Sequence, residues 1–392
     1  MAKKDINVGL IGYKFMGKAH SNGLTKIGMF FDGTANVQKK VLCGRDADWV
    51  KESAEKFGWE QSETSWEKLI KRPDIDMIDI TAPSDAHSTI GLAAANEGKH
   101  VFCEKPLALN LADARMMLEA AEKNKIVHQV GFNYRFVPAI LLAKKLIDEG
   151  KIGKVFHVRS SFLQDWIIDP EFPLVWRLDK KVCGSGSLGD LGAHCIDMAR
   201  FLVGEFDSVM AMSTTFVKRR PLLEKTTGGL TAKATENAQM ADVEIDDATV
   251  FVSQFKNGAM GVFEATRFAQ GHKNDMSIEI NGELGSLKFV FERMNELQYL
   301  STADEPGTQG FRLIQASESI HPYMYAWWPP GHVLGYEHTF VHELYEFTEA
   351  VANDRPLNPI CPTFADGVKC SQVMEAVELS CEKKTLVEVD SL

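Results

Sequence analysis

Two short segments of the chain carry residues that could transfer a proton. Lys105 lies in CEKPLALN, residues 103–110, directly after a short apolar run that ends at Cys103. If that run is a parallel strand, Lys105 follows its carboxyl end, where open α/β sheets bind ligands. A lysine in that position can pass a proton or hold an alkoxide, although most lysines are solvated surface groups. We expect Pro106 to be a cis proline that fixes the direction of the lysine.

The second segment, GSGSLGDLGAHCIDMARFL at residues 184–202, is a glycine-rich loop that runs into a predicted helix. Asp190, His194 and Asp197 are spaced at i, i+4 and i+7, which places them on one face of an α-helix. A histidine flanked by two carboxylates can be oriented by one of them and face a substrate with its other nitrogen. The competing interpretation is an ordinary helix start with a capping aspartate and a core histidine. We expect no metal site, because no further His or Cys is suitably spaced.

The first third of the chain must supply the elements that position Lys105. Short apolar runs alternate there with amphipathic segments, a pattern that predicts right-handed crossovers and a doubly wound parallel sheet of the Rossmann type. The predicted strands are residues 6–11, 37–43, 75–80, 101–103 and 127–130, and the predicted helices are 16–27, 48–57, 89–96 and 112–123.

From residue 154 onward the pattern changes to longer runs of period two, separated by Asn-Gly and Gly-Glu-Leu-Gly turn signals. Such runs predict a large, mostly antiparallel open sheet in a second, α+β domain. Two further helices are predicted at 337–352 and 364–383. The predicted domains are therefore residues 1–131 and 132–392, in an α/β protein of two domains.

The stretch GLIGYKFMGKAH, residues 9–20, joins the first predicted strand to the first predicted helix. Gly9, Gly12 and Gly17 are typical of a turn that presents backbone N–H groups and a helix N-terminus to a pyrophosphate. Gly12 would allow a close approach, and Gly17 would allow the helix to pack closely on the strand. Lys14 stands where the middle glycine is usual. It can be tolerated if its φ stays negative or if the turn opens slightly, and its ammonium can add a charge contact to phosphate. The competing interpretation is an ordinary strand-to-helix turn.

The end of the second strand, in VLCGRD, bears on the choice of coenzyme. A carboxylate there favours NAD by binding the adenosine ribose, whereas an arginine favours the 2′-phosphate of NADP. This chain has Gly44, Arg45 and Asp46 in sequence. The charge of Arg45 favours NADP weakly, but the guanidinium can also stack on adenine or lie in solvent. These residues leave the choice between NAD and NADP open.

Composition excludes several classes of function. The chain has 392 residues with 43 basic and 54 acidic side chains, and the formal net charge of -11 disfavours binding to nucleic acid or to anionic lipid. No segment has the apolar length of a membrane helix. Seven cysteines form an odd set with no CxxC pair, which favours a reduced, cytoplasmic protein without zinc.

Several motifs together resemble the Gfo/Idh/MocA family of nicotinamide-dependent sugar and cyclitol oxidoreductases. These motifs are GLIGYKFMGKAHS, EKPL, GFNYRF, GDLGAHCIDM, FEATRFAQGHKND and GELGS, and they extend over nearly the whole chain. The resemblance implies a Rossmann domain followed by an α/β domain whose open sheet builds homodimers or homotetramers. It also implies that His194 exchanges the hydroxyl proton and that Lys105 hydrogen-bonds the same oxygen. Asp190 would bind a neighbouring hydroxyl or tune the pair. Lys14 and Gly44 depart from the family's usual glycine and acidic residue.

Within the family, residues 162–180 and CGRD resemble the glycoside 3-dehydrogenases, which are largely NAD enzymes. The resemblance therefore favours NAD, with NADP as the alternative. The predicted coenzyme-binding residues are Gly9, Gly12, Tyr13, Lys14, Phe15, Met16, Gly17, Arg45, Pro83, His87, Glu104 and Lys105. The predicted substrate-binding residues are Lys105, Asn133, Asp165, Trp176, Arg177, Asp190, His194, His332 and Tyr336. For Trp166 and Trp176, burial under a long loop is the competing interpretation.

The activity that this resemblance implies is the oxidation of a secondary hydroxyl on a sugar, a glycoside at C3, or a cyclitol, with hydride transfer to nicotinamide. Inositol oxidation is one alternative. A second is glycoside cleavage by a tightly held NAD that takes a hydride and returns it. The third is a non-catalytic sensor that binds NAD(P) and reports through a partner.

Overall fold

The computed structural model describes residues 3–223, 232–235 and 238–392. These residues form two compact units. The first unit comprises Met1–Val137 and Glu318–Lys369, and the second comprises Pro138–Ser317 and Cys370–Leu392.

The strands and helices alternate in the first third of the chain and separate into longer groups afterwards. The strands are β1 (Lys4–Ile11), β2 (Ala35–Cys43), β3 (Gln61–Glu63), β4 (Met77–Ile80), β5 (His100–Cys103), β6 (His128–Val130), β7 (Val155–Leu163), β8 (Phe206–Thr214), β9 (Arg219–Pro221), β10 (Met240–Asp242), β11 (Ala248–Phe255), β12 (Met260–Thr266), β13 (Asp275–Gly282), β14 (Gly285–Val290), β15 (Glu296–Ser301), β16 (Arg312–Gln315) and β17 (Val387–Glu388). The helices are α1 (Phe15–Phe30), α2 (Ala47–Phe57), α3 (Trp66–Ile70), α4 (His87–Asn96), α5 (Leu111–Lys123), α6 (Pro138–Asp148), α7 (Lys180–Cys183), α8 (Ala193–Leu202), α9 (Tyr336–Ala352) and α10 (Phe364–Lys383).

The first unit is built on a six-stranded sheet in the order β3-β2-β1-β4-β5-β6, and its strand pairs are parallel. This is the strand order of a dinucleotide-binding Rossmann sheet. The chain adds strands outward from β1 in one direction and then from β4 in the other, so the strand order reverses between β1 and β4. The strands are apolar on both faces because helices cover both, which explains the fully buried Val8, Leu10, Met77 and Ile78. The predicted doubly wound parallel sheet is confirmed.

Helix α9 packs against α1 within the first unit. A Cβ on Gly23 of α1 would lie 2.8 Å from Cδ1 of Leu344, so the glycine lets the two helices approach closely. At the end of α1, the ring of Phe31 stacks on Tyr345 with centroids 4.4 Å apart. The carboxylate of Glu349 accepts a hydrogen bond from the backbone N–H of Ala35 at 2.8 Å.

These contacts explain where the structure differs from the predicted division at residues 131 and 132. Residues 318–369 were predicted to belong to the second domain, but they pack with the first unit. The contacts join residues more than 300 positions apart, as the bond between Ala35 and Glu349 illustrates, and local sequence patterns carry no signal of such a separation.

The second unit is built on a nine-stranded sheet in the order β16-β15-β14-β13-β7-β12-β11-β8-β17. Strands β7 and β12 pair in parallel, and the other pairs are antiparallel. One face of the sheet is buried and contains Phe206, Phe251, Phe255 and Phe263. Phe251 and Phe263 are stacked across β11 and β12 with centroids 4.6 Å apart. The predicted large, mostly antiparallel sheet is confirmed.

Sequence patterns located most elements to within a few residues, and α10 at its observed bounds. They missed β3 and α3, which are three and five residues long, because such short segments contain too few repeats of a hydrophobic period to be recognised. They also missed longer elements, among them α6 and β8. Across the part of the chain that the structure describes, no helix combines the length and hydropathy needed to cross a bilayer.

Candidate functional site

The turn between β1 and α1 has the geometry of a dinucleotide loop. Gly12 has a φ of 114°, a conformation that favours glycine, and a Cβ there would lie 2.6 Å from Oγ1 of Thr81. A Cβ on Gly17 would lie 2.1 Å from the carbonyl oxygen of Gly12, so α1 rests directly on the end of the strand. Lys14 has a φ of -82° and precedes the first helical residue, Phe15, so a negative φ, one of the two conditions for a lysine at this position, is met.

This turn fits the pyrophosphate of NAD. The first turn of α1, which the structure describes in full, contains no acidic residue that would repel a phosphate. The backbone N–H groups at the start of this helix and its dipole favour an anion at that point. A Cβ at Gly12 would clash with Thr81, and a Cβ at Gly17 would clash with the carbonyl oxygen of Gly12, so both glycines are needed for the shape of the turn.

Tyr13 covers the end of β2, where the adenosine part of a dinucleotide lies in Rossmann sheets. A Cβ on Gly44 would lie 2.2 Å from ring carbons of Tyr13. Burial and the Asp46 carboxylate raise the pKa of the Tyr13 hydroxyl, and Arg45 lowers it. Asp46 also accepts a hydrogen bond from the Trp49 N–H at 3.0 Å and thereby caps α2. Tyr13, Arg45 and Asp46 therefore form one group, and the tyrosine ring takes the space that a side chain at 44 would need.

The Lys105 turn follows β5, at the carboxyl end predicted from the sequence. The peptide bond between Lys105 and Pro106 is cis, as expected. The buried ring of His87 contacts this turn, with Nδ1 at 2.8 Å from the Pro106 carbonyl oxygen and Nε2 at 2.9 Å from that of Ala82. Burial lowers the pKa of His87. His87 thus supports the turn that carries Lys105 as well as the segment that begins with Ala82 and Pro83.

A buried polar network lies beneath both turns. His20 of α1 is fully buried, and its Nδ1 lies 2.9 Å from Oδ2 of Asp79 on β4. Its Nε2 lies 3.0 Å from Oε1 of Glu104, which follows β5. Although burial lowers the pKa of His20, the two carboxylates raise it well above its usual range, which favours the imidazolium form of the ring.

Glu343 of α9 places a third carboxyl group beside this network. One oxygen of Glu343 lies within 4.8 Å of ligand atoms of His20 and Glu104, which are residue types that can hold a cation. Burial and the neighbouring Glu104 raise the pKa of Glu343 well above its usual range. Among the described residues, neither buried carboxyl oxygen of Glu343 has a hydrogen-bond partner. We therefore interpret Glu343 as a protonated carboxyl group beside the hydrogen bonds of His20 with Asp79 and Glu104.

The first unit also contains three predicted substrate residues besides Lys105. Asn133 is buried, and its amide donates a hydrogen bond to Oγ1 of Thr339 at 2.8 Å. Tyr336 starts α9 and stacks on Phe15 with centroids 6.5 Å apart, which places it beside the dinucleotide turn. His332 is exposed, and its Nδ1 lies 2.8 Å from the Pro329 carbonyl oxygen.

In the second unit, the Asp190–His194 segment is not a uniform α-helix. Residues Leu188–Gly192 form a π-helical turn that continues into α8. The prediction assumed α-helical spacing between Asp190 and His194. A π-helical turn contains more residues than an α-helical turn, so the angle between these two side chains around the helix axis differs from the predicted angle. Such turns are frequent at functional sites, because they redirect one side chain within a helix. Asp246 fixes the start of the turn by accepting hydrogen bonds from the N–H groups of Gly186 and Leu188 at 2.6 and 2.8 Å.

His194 and Asp190 differ in their surroundings. His194 is 7% exposed, and its ring lies 5.9 Å from that of Phe162 on β7. Asp190 is partly exposed, and one of its carboxylate oxygens lies 3.8 Å from the buried guanidinium of Arg267. Arg267 also donates to the backbone carbonyls of Arg177 and Asp246, each at 3.3 Å. The arginine thus links the Asp190 turn to the segment that contains Arg177.

The predicted sugar-facing residues at 165–177 have different environments. The carboxylate of Asp165 accepts hydrogen bonds from Nζ of Lys273 at 2.7 Å and from the N–H of Gly271 at 3.1 Å. The Lys273 hydrogen bond is the main reason that the pKa of Asp165 is lowered. Trp166 packs on a small apolar cluster and on the ring of Phe172. The Arg177 guanidinium lies 4.3 Å from the Trp176 ring centroid, so these two present one stacked surface.

Each unit therefore contains part of the predicted set. The first unit contains the coenzyme residues together with Lys105, Asn133, His332 and Tyr336, and the second contains Asp165, Trp176, Arg177, Asp190 and His194.

Sequence reasoning missed the residues that support these side chains, namely His20, Asp79, Glu343, Asp246 and Arg267. A signal was present for three of them. His20 follows Gly17 by three positions on the buried stripe of α1, Asp79 lies inside the apolar run MIDI, and Glu343 lies on the buried face of α9. A titratable residue at a position that the pattern assigns to the core indicates a buried polar network.

Comparison with known families identifies both parts of the chain. Residues 6–132 match the family model described as oxidoreductase family, NAD-binding Rossmann fold. Residues 140–288 match the GFO/IDH/MocA C-terminal domain. The chain is 40% identical to the levoglucosan dehydrogenase of Pseudarthrobacter phenanthrenivorans over 99% of each chain. It is 28% identical to the myo-inositol 2-dehydrogenase of Thermotoga maritima, also over 99% of each chain.

Solved structures agree with these matches. An oxidoreductase domain protein from Kribbella flavida is 47% identical, with a TM-score of 0.92 over 99% of this chain and 100% of that one. Levoglucosan dehydrogenase in complex with NADH and levoglucosan is 40% identical, with a TM-score of 0.92 over 98% of this chain and 100% of that one. The predictions of fold class and of family are confirmed.

Proposed function

Because the chain belongs to the Gfo/Idh/MocA family of NAD-dependent oxidoreductases, we propose that it oxidises a secondary hydroxyl of a sugar or glycoside, at C3 of a pyranose ring. The observation that carries this proposal is the 40% identity to levoglucosan dehydrogenase along the whole chain. The Lys105 turn and the Asp190–His194 segment support it, because they offer a lysine, a histidine and a carboxylate for a hydroxylated substrate. Oxidation of an inositol is the second candidate, supported by the full-length likeness to myo-inositol 2-dehydrogenase.

Bound NAD supplies a hydride acceptor at its nicotinamide ring. In the proposed reaction, a ring nitrogen of His194 takes the proton of the reacting hydroxyl while the C–H bond of the same carbon gives up its hydride. The alcohol becomes a ketone, with two electrons leaving on the hydride and one proton leaving to the imidazole. Nζ of Lys105 donates a hydrogen bond to the reacting oxygen and stabilises its developing negative charge.

Other residues orient the substrate in this proposal. The Asp190 carboxylate accepts a hydrogen bond from a neighbouring hydroxyl, and the guanidinium of Arg267, 3.8 Å away, keeps that carboxylate in place. The stacked pair of Trp176 and Arg177 offers an aromatic surface to the C–H face of a sugar ring. Asn133, Asp165, His332 and Tyr336 complete the proposed substrate contacts.

We further propose that the protein is a homo-oligomer, a dimer or a tetramer, that associates through the open face of the nine-stranded sheet. Apolar side chains cover this face on β8, β11 and β12, and several are about half exposed or more. They include Met210, Met212, Val250, Val252, Met260 and Val262. A contiguous apolar surface of this kind is typical of a protein–protein interface. The cysteines are free thiols in the structure, which supports a reducing compartment such as the cytoplasm.

The test is the absorbance of reduced nicotinamide, followed with the purified protein and either NAD or NADP. The substrate panel contains levoglucosan, aryl glucosides, free hexoses and inositols. We expect NADH to form with a pyranose or a glycoside. NADH formation with inositols alone would favour the second candidate. Cleavage of a glycoside without net formation of NADH would point to a reaction in which the hydride is returned to the substrate. No change in NADH absorbance with any substrate would contradict a dehydrogenase.

A further inference from the structure

His20 joins the coenzyme helix to the Lys105 turn. It lies on α1, three residues after Gly17, and it is completely buried. On one side, its Nδ1 faces both carboxylate oxygens of Asp79, at 3.0 and 2.9 Å. On the other side, its Nε2 faces Oε1 of Glu104 at 3.0 Å. Because both nitrogens face carboxylates, the plane and the direction of the imidazolium ring are fixed.

Glu104 passes this constraint to the lysine. While Oε1 of Glu104 faces His20, Oε2 accepts a hydrogen bond from the backbone N–H of Lys105 at 3.2 Å. The carboxylate is therefore held at one oxygen by a buried cation and at the other by the peptide unit that carries the Lys105 side chain. Without His20, the carboxylate of Glu104 would lose its charged partner and could rotate away from that N–H group.

The surroundings of His20 keep this arrangement rigid. The ring of Phe102 lies against the His20 ring with centroids 5.4 Å apart, and that of Phe340 lies 5.5 Å away. These rings help to keep water from the histidine, which is completely buried. Charge-assisted hydrogen bonds in such an apolar enclosure are stronger than those on the surface.

We propose that His20 is a positioning residue, which sets the direction of Lys105 through Glu104 and makes the placement of the lysine depend on α1. This inference rests on the proposed function, in which Lys105 contacts the reacting oxygen. A misplacement of about 1 Å at a reacting group can cost roughly 10²-fold in rate. His20 therefore acts on turnover although it does not itself contact the substrate.

The test compares His20→Ala, Glu104→Gln and the double variant at saturating NAD and sugar. We expect His20→Ala to lower kcat by roughly 10²-fold. The dissociation constant for NAD should change by no more than about threefold, because the glycines of the turn are retained. If the two residues act as a unit, the double variant should be no slower than the slower single variant, whereas independent effects would multiply. Multiplied effects would overturn the proposal.

His342→Gln is the matched control. His342 is also a buried histidine of the first unit, with Nδ1 2.9 Å from the Phe136 carbonyl and Nε2 accepting from Trp327 at 2.7 Å. Neither of these hydrogen bonds involves Glu104, and a glutamine can replace both of them. If His342→Gln lowers kcat as much as His20→Ala does, the effect reflects general destabilisation and the proposal fails.

Amide hydrogen exchange gives a readout that does not need turnover. We expect the peptide that covers residues 103–110 to exchange faster in His20→Ala than in the wild type, and to be unchanged in His342→Gln. Unchanged exchange in His20→Ala would overturn the positioning role. If the wild type oxidises no sugar, the proposed function fails, but the exchange comparison still decides whether His20 anchors the Lys105 turn.

Discussion

Tyr13 and Gly44 lie so close that residue 44 has no room for a side chain. A Cβ on Gly44 would lie 2.2 Å from both Cδ1 and Cε1 of the Tyr13 ring. The acidic residue that is usual in this family at the end of β2 therefore has its space taken by an aromatic ring. The two departures from the family pattern, Lys14 and Gly44, lie on either side of this tyrosine.

Restoring the acidic residue should weaken coenzyme binding. In Gly44→Asp the new side chain must displace the Tyr13 ring, and overpacking of this kind typically costs about 1–3 kcal/mol. We expect the dissociation constant for NAD to rise by about tenfold. Gly44→Ala should give most of this effect, and Tyr13→Ala/Gly44→Asp should recover affinity. Fluorescence titration with NAD measures all four proteins, and wild-type affinity in Gly44→Ala would contradict the steric argument.

Gly17 and Gly28 of the same helix should respond differently to alanine. A Cβ on Gly17 would lie 2.1 Å from the backbone oxygen of Gly12, whereas a Cβ on Gly28 has nothing within 4 Å. Gly17→Ala should therefore lift α1 from the strand, lower the free energy of unfolding by about 1–3 kcal/mol and abolish tight NAD binding. Gly28→Ala should stabilise the protein by about 0.5 kcal/mol, because alanine favours a helix. Urea unfolding and NAD titration measure both, and equal behaviour of the two variants would contradict the expected difference.

Much of the fold could be predicted because most strands and helices of the two sheets have a local signal. Apolar strands buried on both faces, period-two strands and the turn glycines are each visible within a short window, and they located both sheets. The positions of 318–369 and of the π-helical turn at Leu188–Gly192 were not predicted. The first depends on contacts that are distant in sequence, and the second on a hydrogen-bond shift that residue spacing does not encode.

The residues of the candidate site also divide into those that the sequence predicts and those that it does not. Residues at the ends of strands, such as Gly12 and Lys105, could be named because a strand's carboxyl end is a known binding edge. Residues such as His20 and Arg267 could not, because their roles come from partners on other elements. His20 has one local signal, its position as a titratable residue on the buried stripe of α1.

Glu343 should make the protein less stable as the pH rises. Its folded-state pKa is raised by burial and by Glu104, so it stays protonated after the unfolded chain has ionised. Stability is then lost from about pH 4.3 upward until the folded-state pKa is reached. Glu343→Gln removes this loss, while the facing groups His20, Asp79 and Glu104 remain. We therefore expect the free energy of unfolding of the variant, relative to the wild type, to increase between about pH 5 and pH 8.

Urea unfolding at several pH values measures this difference, and its slope with pH is the readout rather than its absolute value. Glu119→Gln is the control, because Glu119 is an exposed residue of α5. Its stability relative to the wild type should not follow the slope expected of Glu343→Gln. Parallel stability curves for Glu343→Gln and the wild type would contradict a neutral, buried Glu343.

Charges placed on the open face of the large sheet should separate the subunits of the proposed oligomer. Val252 of β11 lies opposite Val262 of β12 and Met210 of β8, and all three are about half exposed. Val252→Lys/Val262→Lys should give monomers by light scattering, because two buried, unpaired ammonium groups in each copy oppose association. Met116→Lys, on an exposed position of α5, should leave the assembly unchanged. A wild-type mass in the double lysine variant would exclude this face as the interface.

His194 should be required for proton transfer and not for coenzyme binding. His194→Ala should lower kcat by about 10²- to 10⁴-fold if the imidazole is the general base. NAD binding, which we assign to the first unit, should change little. His157→Ala is the control, because His157 is a partly exposed histidine of β7 outside the proposed site. Steady-state rates and NAD titration measure both variants, and near-wild-type turnover in His194→Ala would remove this histidine from the mechanism.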